Sequence, residues 1–339
     1  MISSSYATLD ELFKSTRPTD SSWLPLIIEC GLDQLPMPGE GATLDRWRAL
    51  AAVAQFDLSL AKLYEGHTDA LAIFEEIGQD CSLIPYGTLC VWAAEAPGGR
   101  AHVKAGENGD LLLSGSKHWC SGALTADYAL LTAWDADGTG PYLVSLDLHQ
   151  PGIGVDCTKW KAVGMAKSMS VNVSFKSVNC ERVGQVGEYL NRPGFWQGGA
   201  GIAACWYGGA VGIASVLRQS LAAAGADKSG YGFAALGKIE LALQETASVL
   251  RQSAQWIDDH PLVDASHVAL SSRLSAEKCA KLVMDEVGKA AGAGPFCLDD
   301  KFAQATADLT VFIRQSHYER DFAALGERVL SKDTSSWTL

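Results

Sequence analysis

Residues 116 to 135 read SKHWCSGALTADYALLTAWD. The indole of Trp119 is followed at once by small or hydroxylated residues, Cys120, Ser121, Gly122 and Ala123, and then by a strand-like run from Tyr128 to Trp134. A flat polarisable ring, a hydroxyl two residues on and a bare backbone at Gly122 offer stacking, hydrogen bonding and close approach within one short stretch. An isolated Trp in such a place otherwise reads as a core residue of a β-domain. A second stretch with titratable side chains close together is SHYERD, which holds His317, Glu319 and Asp321. An imidazole of unperturbed pKa about 6.5 is largely neutral near pH 7, and a carboxylate such as Glu319 could orient its other nitrogen. The apolar stripe Phe302, Ala305, Leu309, Phe312 continues to Ser316, which leaves His317 at the stripe's border with Glu319 and Asp321 turned away. His67 lies between Leu63 and Leu71 on an apolar helical face, where a lone histidine is more often a satisfied core residue.

The elements that must position these groups change period along the chain. From Thr43, expected as a helix N-cap, apolar residues recur at Leu44, Trp47, Leu50 and Ala54, and a second stripe runs Leu60, Leu63, Leu71 and Phe74. From about Ile84 to Val183 the pattern is strand-like, with Leu111 to Leu113, Tyr142 to Leu146 and the alternating Val171, Val173, Phe175 set between Gly, Pro, Asn and Asp turns. Helices return after Pro193. They are expected over Gly198 to Ala224, then along the stripe Leu236, Ile239, Leu243, Ala247, Leu250, Ala254, Ile257, then over 265 to 290 and 301 to about 329. Glycines in GGAGIAACWYGGAVGIAS each cost a helix roughly 1 kcal/mol relative to Ala, so close packing or a bound planar ligand has to offset them. The expected organisation is α+β: a helical domain over 1–85, a middle β-domain over 86–185 and a four-helix bundle over 186–339.

With 339 residues, 47% of them hydrophobic, the chain can bury large cores, and a net charge of -12 without a Lys/Arg cluster argues against nucleic acid. Its nine cysteines show no metal-ligand spacing, so no metal is expected. With no charged-then-apolar leader at the start, a reducing cytoplasm is the expected location. No apolar run free of Gly and polar interruption reads as a bilayer span.

The order helices, β-domain, helical bundle resembles the acyl-CoA dehydrogenase superfamily, and the matching segments cover nearly the whole chain. The family's K-x-W-I-T-N-G pattern is matched by Lys117, His118, Trp119, Cys120, Ser121 and Gly122, followed by Ala126 and Asp127. Its T-E-P-G-x-G-S-D loop is faintly kept as Ala94, Glu95, Ala96, Pro97, Gly98 and Gly99. PGIGVDCTKWKAVGMAKSMSVNVSFKSV resembles the stretch that closes the family's β-domain, and DEVGKAAGAG, Asp285 to Gly294, aligns without a gap to D-A-V-Q-I-x-G-G-x-G. The resemblance implies FAD between the β-domain and the bundle, with Ala94, Glu95, Trp119, Ser121, Lys228, Gly292 and Gly294 as its contacts. Trp119 would pack on the flavin ring, and the Ser121 hydroxyl would meet the ring edge near N5. Gly292 and Gly294 would approach a neighbouring subunit's cofactor, as expected for a homodimer or homotetramer.

Departures from the family pattern matter as much. Lys228 stands where an Arg usually holds the pyrophosphate, Gly288 replaces the Gln, and Ala94 replaces a Thr. The usual catalytic Glu falls on Ser316, so His317, with Ser316 and Glu319 beside it, is the expected replacement. The resemblance implies dehydrogenation of an acyl thioester, carried by CoA or a carrier, with an electron-transfer flavoprotein or a flavin reductase as redox partner. Two histidines without a catalytic Glu raise a second expectation, a reduced-flavin monooxygenase on the same fold. A non-catalytic or partner-dependent member is the third.

Overall fold

The computed structural model describes residues 5–15, 23–77, 86–107, 109–135, 137–223, 230–330 and 337. Four helices come first: α1 (Ser5–Ser15), α2 (Trp23–Glu29), α3 (Thr43–Phe56) and α4 (Leu58–Glu76). Seven strands follow: β1 (Leu89–Trp92), β2 (Ala101–Ala105), β3 (Leu111–Cys120), β4 (Tyr128–Asp135), β5 (Tyr142–Asp147), β6 (Ile153–Asp156) and β7 (Val171–Val183). The rest is helical: α5 (Glu188–Asn191), α6 (Gly194–Ala223), α7 (Gly230–Asp259), α8 (Ser266–Ala291), α9 (Gly294–Leu298), α10 (Asp300–Phe312) and α11 (Glu319–Leu330). The chain divides into two compact units. Met1–Leu35 joins Ser59–Phe195, and Pro36–Leu58 joins Trp196–Leu339, so the N-terminal helices are shared between the two.

In the first unit, β4, β2, β3, β7 and β5 pair in that order and β5 pairs back to β4, closing a five-stranded barrel. β1 adds to β4 in parallel and β6 adds to β7. Closure removes the open edges that an antiparallel sheet would otherwise expose. The alternation seen in the sequence of β7 sends Val171, Val173 and Phe175 inward. Ser177, at φ 51°, then shifts the phase so that Val178 and Cys180 continue the buried row. These side chains fill the barrel with Trp92, Leu113, Leu131 and Val144. α4 covers one wall, with Ala70, Ile73 and Phe74 against Leu89, Leu130, Leu143 and Val183.

In the second unit α3 lies close on α6. A Cβ at Gly208 would meet the Ala51 carbonyl oxygen at 2.2 Å, so backbone contact is what offsets the helical glycines. By length and composition α6 is apolar enough to cross a membrane, yet 72% of that stretch is buried within the protein, as in a core helix. Thr43, expected as N-cap, is instead the first residue of α3. The carboxylate of Asp258 on α7 takes over the cap, accepting from the Gly41 and Thr43 amides at 3.0 and 3.2 Å and from Thr43 Oγ1 at 2.6 Å.

The single helix expected over 301–329 is broken. α10 ends at Phe312, a short 3-10 turn spans Ile313–Gln315, Ser316 is extended, Tyr318 has φ 37°, and α11 starts anew at Glu319. No Gly or Pro marks the interruption. The apolar stripe that suggested continuity runs through α10 and stops at the break.

Candidate functional site

The expected contacts in the first unit gather at the end of β3. Lys117 points into the barrel and is fully buried; Cys120 does the same, and between them the pairing with β7 slips by a bulge. The bulge turns Trp119 outward, 62% exposed, at φ 61°, a left-handed conformation that β-carbon sterics make costly for a bulky residue. A core role for this indole is thereby excluded in this unit. The chain reverses through Gly122 at φ 77°, where a Cβ would lie 3.2 Å from Leu63 Cδ2.

Ser121 is held on both its backbone and its side chain. Its carbonyl accepts from Trp92 Nε1 at 2.9 Å, and its hydroxyl lies 2.7 Å from that of Ser170. Ser170 in turn lies 3.0 Å from the buried Ser168 hydroxyl, which donates to the Met165 carbonyl at 2.8 Å. Ser168 and Ser170 were missed as site residues; the only sign of them in the sequence is the short KSMS ahead of β7. Beside Ser121 a cavity of about 10 Å³ is lined by Lys62, Gly66, Thr88, Cys90 and Thr125, enough for roughly one water.

Glu95 sits in the same unit but turns to another partner. Its Oε1 accepts from Lys117 Nζ at 2.8 Å and from Thr132 Oγ1 at 2.5 Å, and its Oε2 from Trp134 Nε1 at 3.2 Å. Burial alone would raise the carboxyl's pKa, and the hydrogen bonds from Lys117, Thr132 and Trp134 more than reverse this, leaving Glu95 below its ordinary value. Glu95 is therefore the counter-charge of a buried lysine that anchors β3. Arg100 stacks on Trp134 at 4.5 Å. Ala94 is exposed just past β1. Gly99 passes so close under His118 that a Cβ there would fall 2.8 Å from the imidazole.

His67 is a satisfied core residue. The Leu89 amide donates to Nδ1 at 3.1 Å, so the ring proton is on Nε2, which faces Asp33 Oδ2 at 3.2 Å. Asp33 lies below its ordinary value: burial raises it, but hydrogen bonds led by that from His67 outweigh the burial. With both nitrogens committed, His67 offers no free base.

The remaining expected residues lie in the second unit. Gly292, at φ 65°, ends α8, with its amide donating to the Gly288 carbonyl at 3.1 Å, and Gly294 opens α9. Lys228 lies outside the described residues. Ser316 is buried and its hydroxyl caps α11, accepting from the Tyr318 amide at 3.2 Å and facing Asp321 Oδ2 at 3.3 Å. Asp321, expected to turn away, also accepts from the His317 amide at 3.1 Å. The His317 and Glu319 side chains are exposed, and the imidazole–carboxylate pair suggested by the sequence is not formed. A larger pocket, about 570 Å³, lies between α6 and α7 with Tyr207, Arg218, Glu240 and Arg251 on its walls.

Neither a protein-family model nor a curated protein matches the sequence. Solved structures do match in three dimensions. FMN-bound TdsC from Paenibacillus sp. A11-2, a dibenzothiophene monooxygenase, superposes at a TM-score of 0.79 and 17% identity over 95% of this chain and 93% of its own. The chain has the fold of these enzymes. KijD3, solved with FMN and dTDP-3-amino-2,3,6-trideoxy-4-keto-3-methyl-D-glucose, gives 0.79 and 15% over 98% and 92%. Methanesulfinate monooxygenase MsuC from Pseudomonas fluorescens gives 0.73 and 17% over 98% and 95%. The architecture of helices, barrel and helices is thus shared from end to end.

The end of β3 suits a flavin ring by the chemistry of its donor set. It offers an uncovered indole face, a hydroxyl fixed by two further serines and a glycine turn free of Cβ. In this unit Trp119, Ser121 and Gly122 are the residues that would hold the ring.

Proposed function

We propose that this protein is a flavin-dependent monooxygenase that uses reduced FMN supplied by a separate reductase. The observation that carries the flavin part is Trp119, an indole held out to solvent in a conformation that costs about 1–3 kcal/mol. Backbone strain at an uncovered aromatic is retained where the ring has work to do. FMN takes the place of the FAD expected from the sequence because it is the flavin that TdsC and KijD3 carry in their solved structures.

Segment 313–318 turns the reading from dehydrogenation to oxygenation. Removing a proton next to a thioester needs a base within about 3 Å of it. At the aligned position Ser316 is buried and spends its hydroxyl on a helix cap, while His317 next to it faces solvent. Reduced flavin supplies two electrons, with which dioxygen is divided into one oxygen atom inserted in the substrate and one released as water. The protein's part is to bind and shield. Trp119 gives a water-excluding face, Gly122 lets the backbone approach, and the Glu95–Lys117 pair with Thr132 pins the strand that presents both.

The test is to bind chemically reduced FMN without oxygen, then admit ¹⁸O₂ with a panel of aromatic heterocycles, sulfinates and amino sugars. One ¹⁸O atom in a product supports the reading. Anaerobic bleaching of bound flavin by an acyl-CoA would replace it with the dehydrogenase. Self-association as a dimer or tetramer is proposed alongside it, and sedimentation showing monomer alone at micromolar concentration would remove that part.

A further inference from the structure

A hydroxyl group has one proton to donate and two lone pairs, so a chain of hydroxyls ending on a carbonyl has a direction. Here the chain ends on Met165, whose carbonyl oxygen can only accept, and Ser168 donates to it at 2.8 Å. Ser168 has then no proton left for Ser170, so across their 3.0 Å contact Ser170 is the donor. Ser170 has in turn none left for Ser121, so across 2.7 Å Ser121 is the donor. What Ser121 has left to offer a ligand is lone pairs.

The backbone around this chain is unusual. Of the five non-glycine residues with positive φ among those described, three frame it: Met165 at 58° and Met169 at 41° on either side of Ser168, and Trp119 at 61° two residues before Ser121. Ser168 is also held by its own carbonyl, which accepts from the Gly122 amide at 3.0 Å. The serines are fixed relative to the turn that carries the platform.

We propose that Ser168 and Ser170 are positioning residues that make Ser121 an obligate hydrogen-bond acceptor, and that the site thereby prefers reduced over oxidised flavin. The two forms of the ring differ at N5, which carries a hydrogen when reduced and a bare lone pair when oxidised. A lone pair facing a lone pair repels, whereas N–H facing a lone pair bonds. This deepens the flavin reading above and rests on it. It gives a physical reason for a protein of this fold to capture the reduced form and to release the spent one.

The proposal is tested by the midpoint potential of FMN on the protein, measured by spectroelectrochemistry, with the dissociation constant of oxidised FMN from fluorescence quenching. Preference for the reduced form makes the bound midpoint more positive than that of free FMN. Ser168→Ala frees the Ser170 proton, hence that of Ser121, which can then donate to oxidised N5. One neutral hydrogen bond gained or lost is worth about tenfold in the preference, so the midpoint should fall by ~30 mV for this two-electron couple. Oxidised FMN should bind correspondingly tighter. Ser168→Thr, which keeps a hydroxyl, should retain the wild-type value. If Ser168→Ala fails to fold by circular dichroism, Ser170→Ala serves, because Ser121 then loses its acceptor directly and its proton is free for N5. FMN that binds, and is weakened by Trp119→Ala, but whose midpoint does not move in either serine variant, overturns the polarity while leaving the flavin site standing. Failure of FMN to bind in either redox state overturns both.

Discussion

Trp119 should behave opposite to ordinary experience when replaced by Gly and by Ala. In a regular strand Gly is less stable than Ala by roughly 0.5–1 kcal/mol, because it loses more freedom on folding. At φ 61° any side chain with a Cβ costs about 1–2 kcal/mol, and Gly escapes that cost. The difference leaves Trp119→Gly more stable than Trp119→Ala by about 0.5–1 kcal/mol, or ~2 °C in melting temperature for a chain of this size. The burial lost with the indole is the same in both, so it cancels in the comparison. For FMN the two variants should be alike, each weaker than wild type by about 1–3 kcal/mol, roughly 5- to 150-fold in dissociation constant. Thermal melts without ligand and fluorescence titrations with FMN measure the two effects separately. Trp134→Ala is the control: its indole is tied to Glu95 and stacked by Arg100, so stability should fall while FMN affinity is kept among folded molecules. Trp119→Ala as stable as Trp119→Gly would refute the left-handed geometry. Unchanged FMN affinity in both would refute the platform.

Glu95→Ala leaves the Lys117 ammonium buried with Thr132 Oγ1 as its remaining partner, and should cost about 3 kcal/mol, the low end for a broken buried pair because Glu95 reaches solvent; urea unfolding measures it, and a loss under 0.5 kcal/mol would refute the anchoring role. Because the folded Glu95 pKa lies below the ordinary glutamate value that it has in the unfolded chain, its contribution is fully present above that ordinary value and lost as pH falls through the folded one. Wild type should therefore lose stability on acidification faster than Glu95→Ala, and parallel pH profiles would contradict the assignment. Asp258→Ala removes the cap of α3 and should cost about 1–2 kcal/mol in thermal or urea unfolding, with Asp258→Asn recovering part of it. His317→Asn, altering an exposed ring, should leave stability within about 0.5 kcal/mol and oxygenase turnover within about twofold. A loss near 10² in turnover would return His317 to the role of base.

Residue order alone told a good deal about this protein. Helical and strand periods are local properties, so the order of helices, strands and helices and the limits of α8 could be read within a residue, while the stripe Leu236 to Ile257 marked the body of α7 but not its start at Gly230. The Trp119–Ser121 stretch stood out for the same reason, being a contiguous set of residue types. Tertiary structure decided what depends on groups far apart in the chain. Glu95 meets Lys117 and Thr132 from 22 and 37 residues away, Ser170 meets Ser121 from 49, and Asp258 caps α3 from 215. No periodicity encodes such pairs, because each is set by which surfaces meet once the barrel has closed or the helices have packed. The break between α10 and α11 is hidden for a related reason. Ser316, Tyr318 and Asp321 form a cap that needs no Gly or Pro, and a stripe at helical spacing looks the same whether the helix continues or stops. How an indole is held, buried or turned out to solvent, is likewise not encoded by its neighbours in sequence. A one-residue bulge between Lys117 and Cys120 turned Trp119 outward, since side chains alternate along a strand and an extra residue reverses the face that each presents.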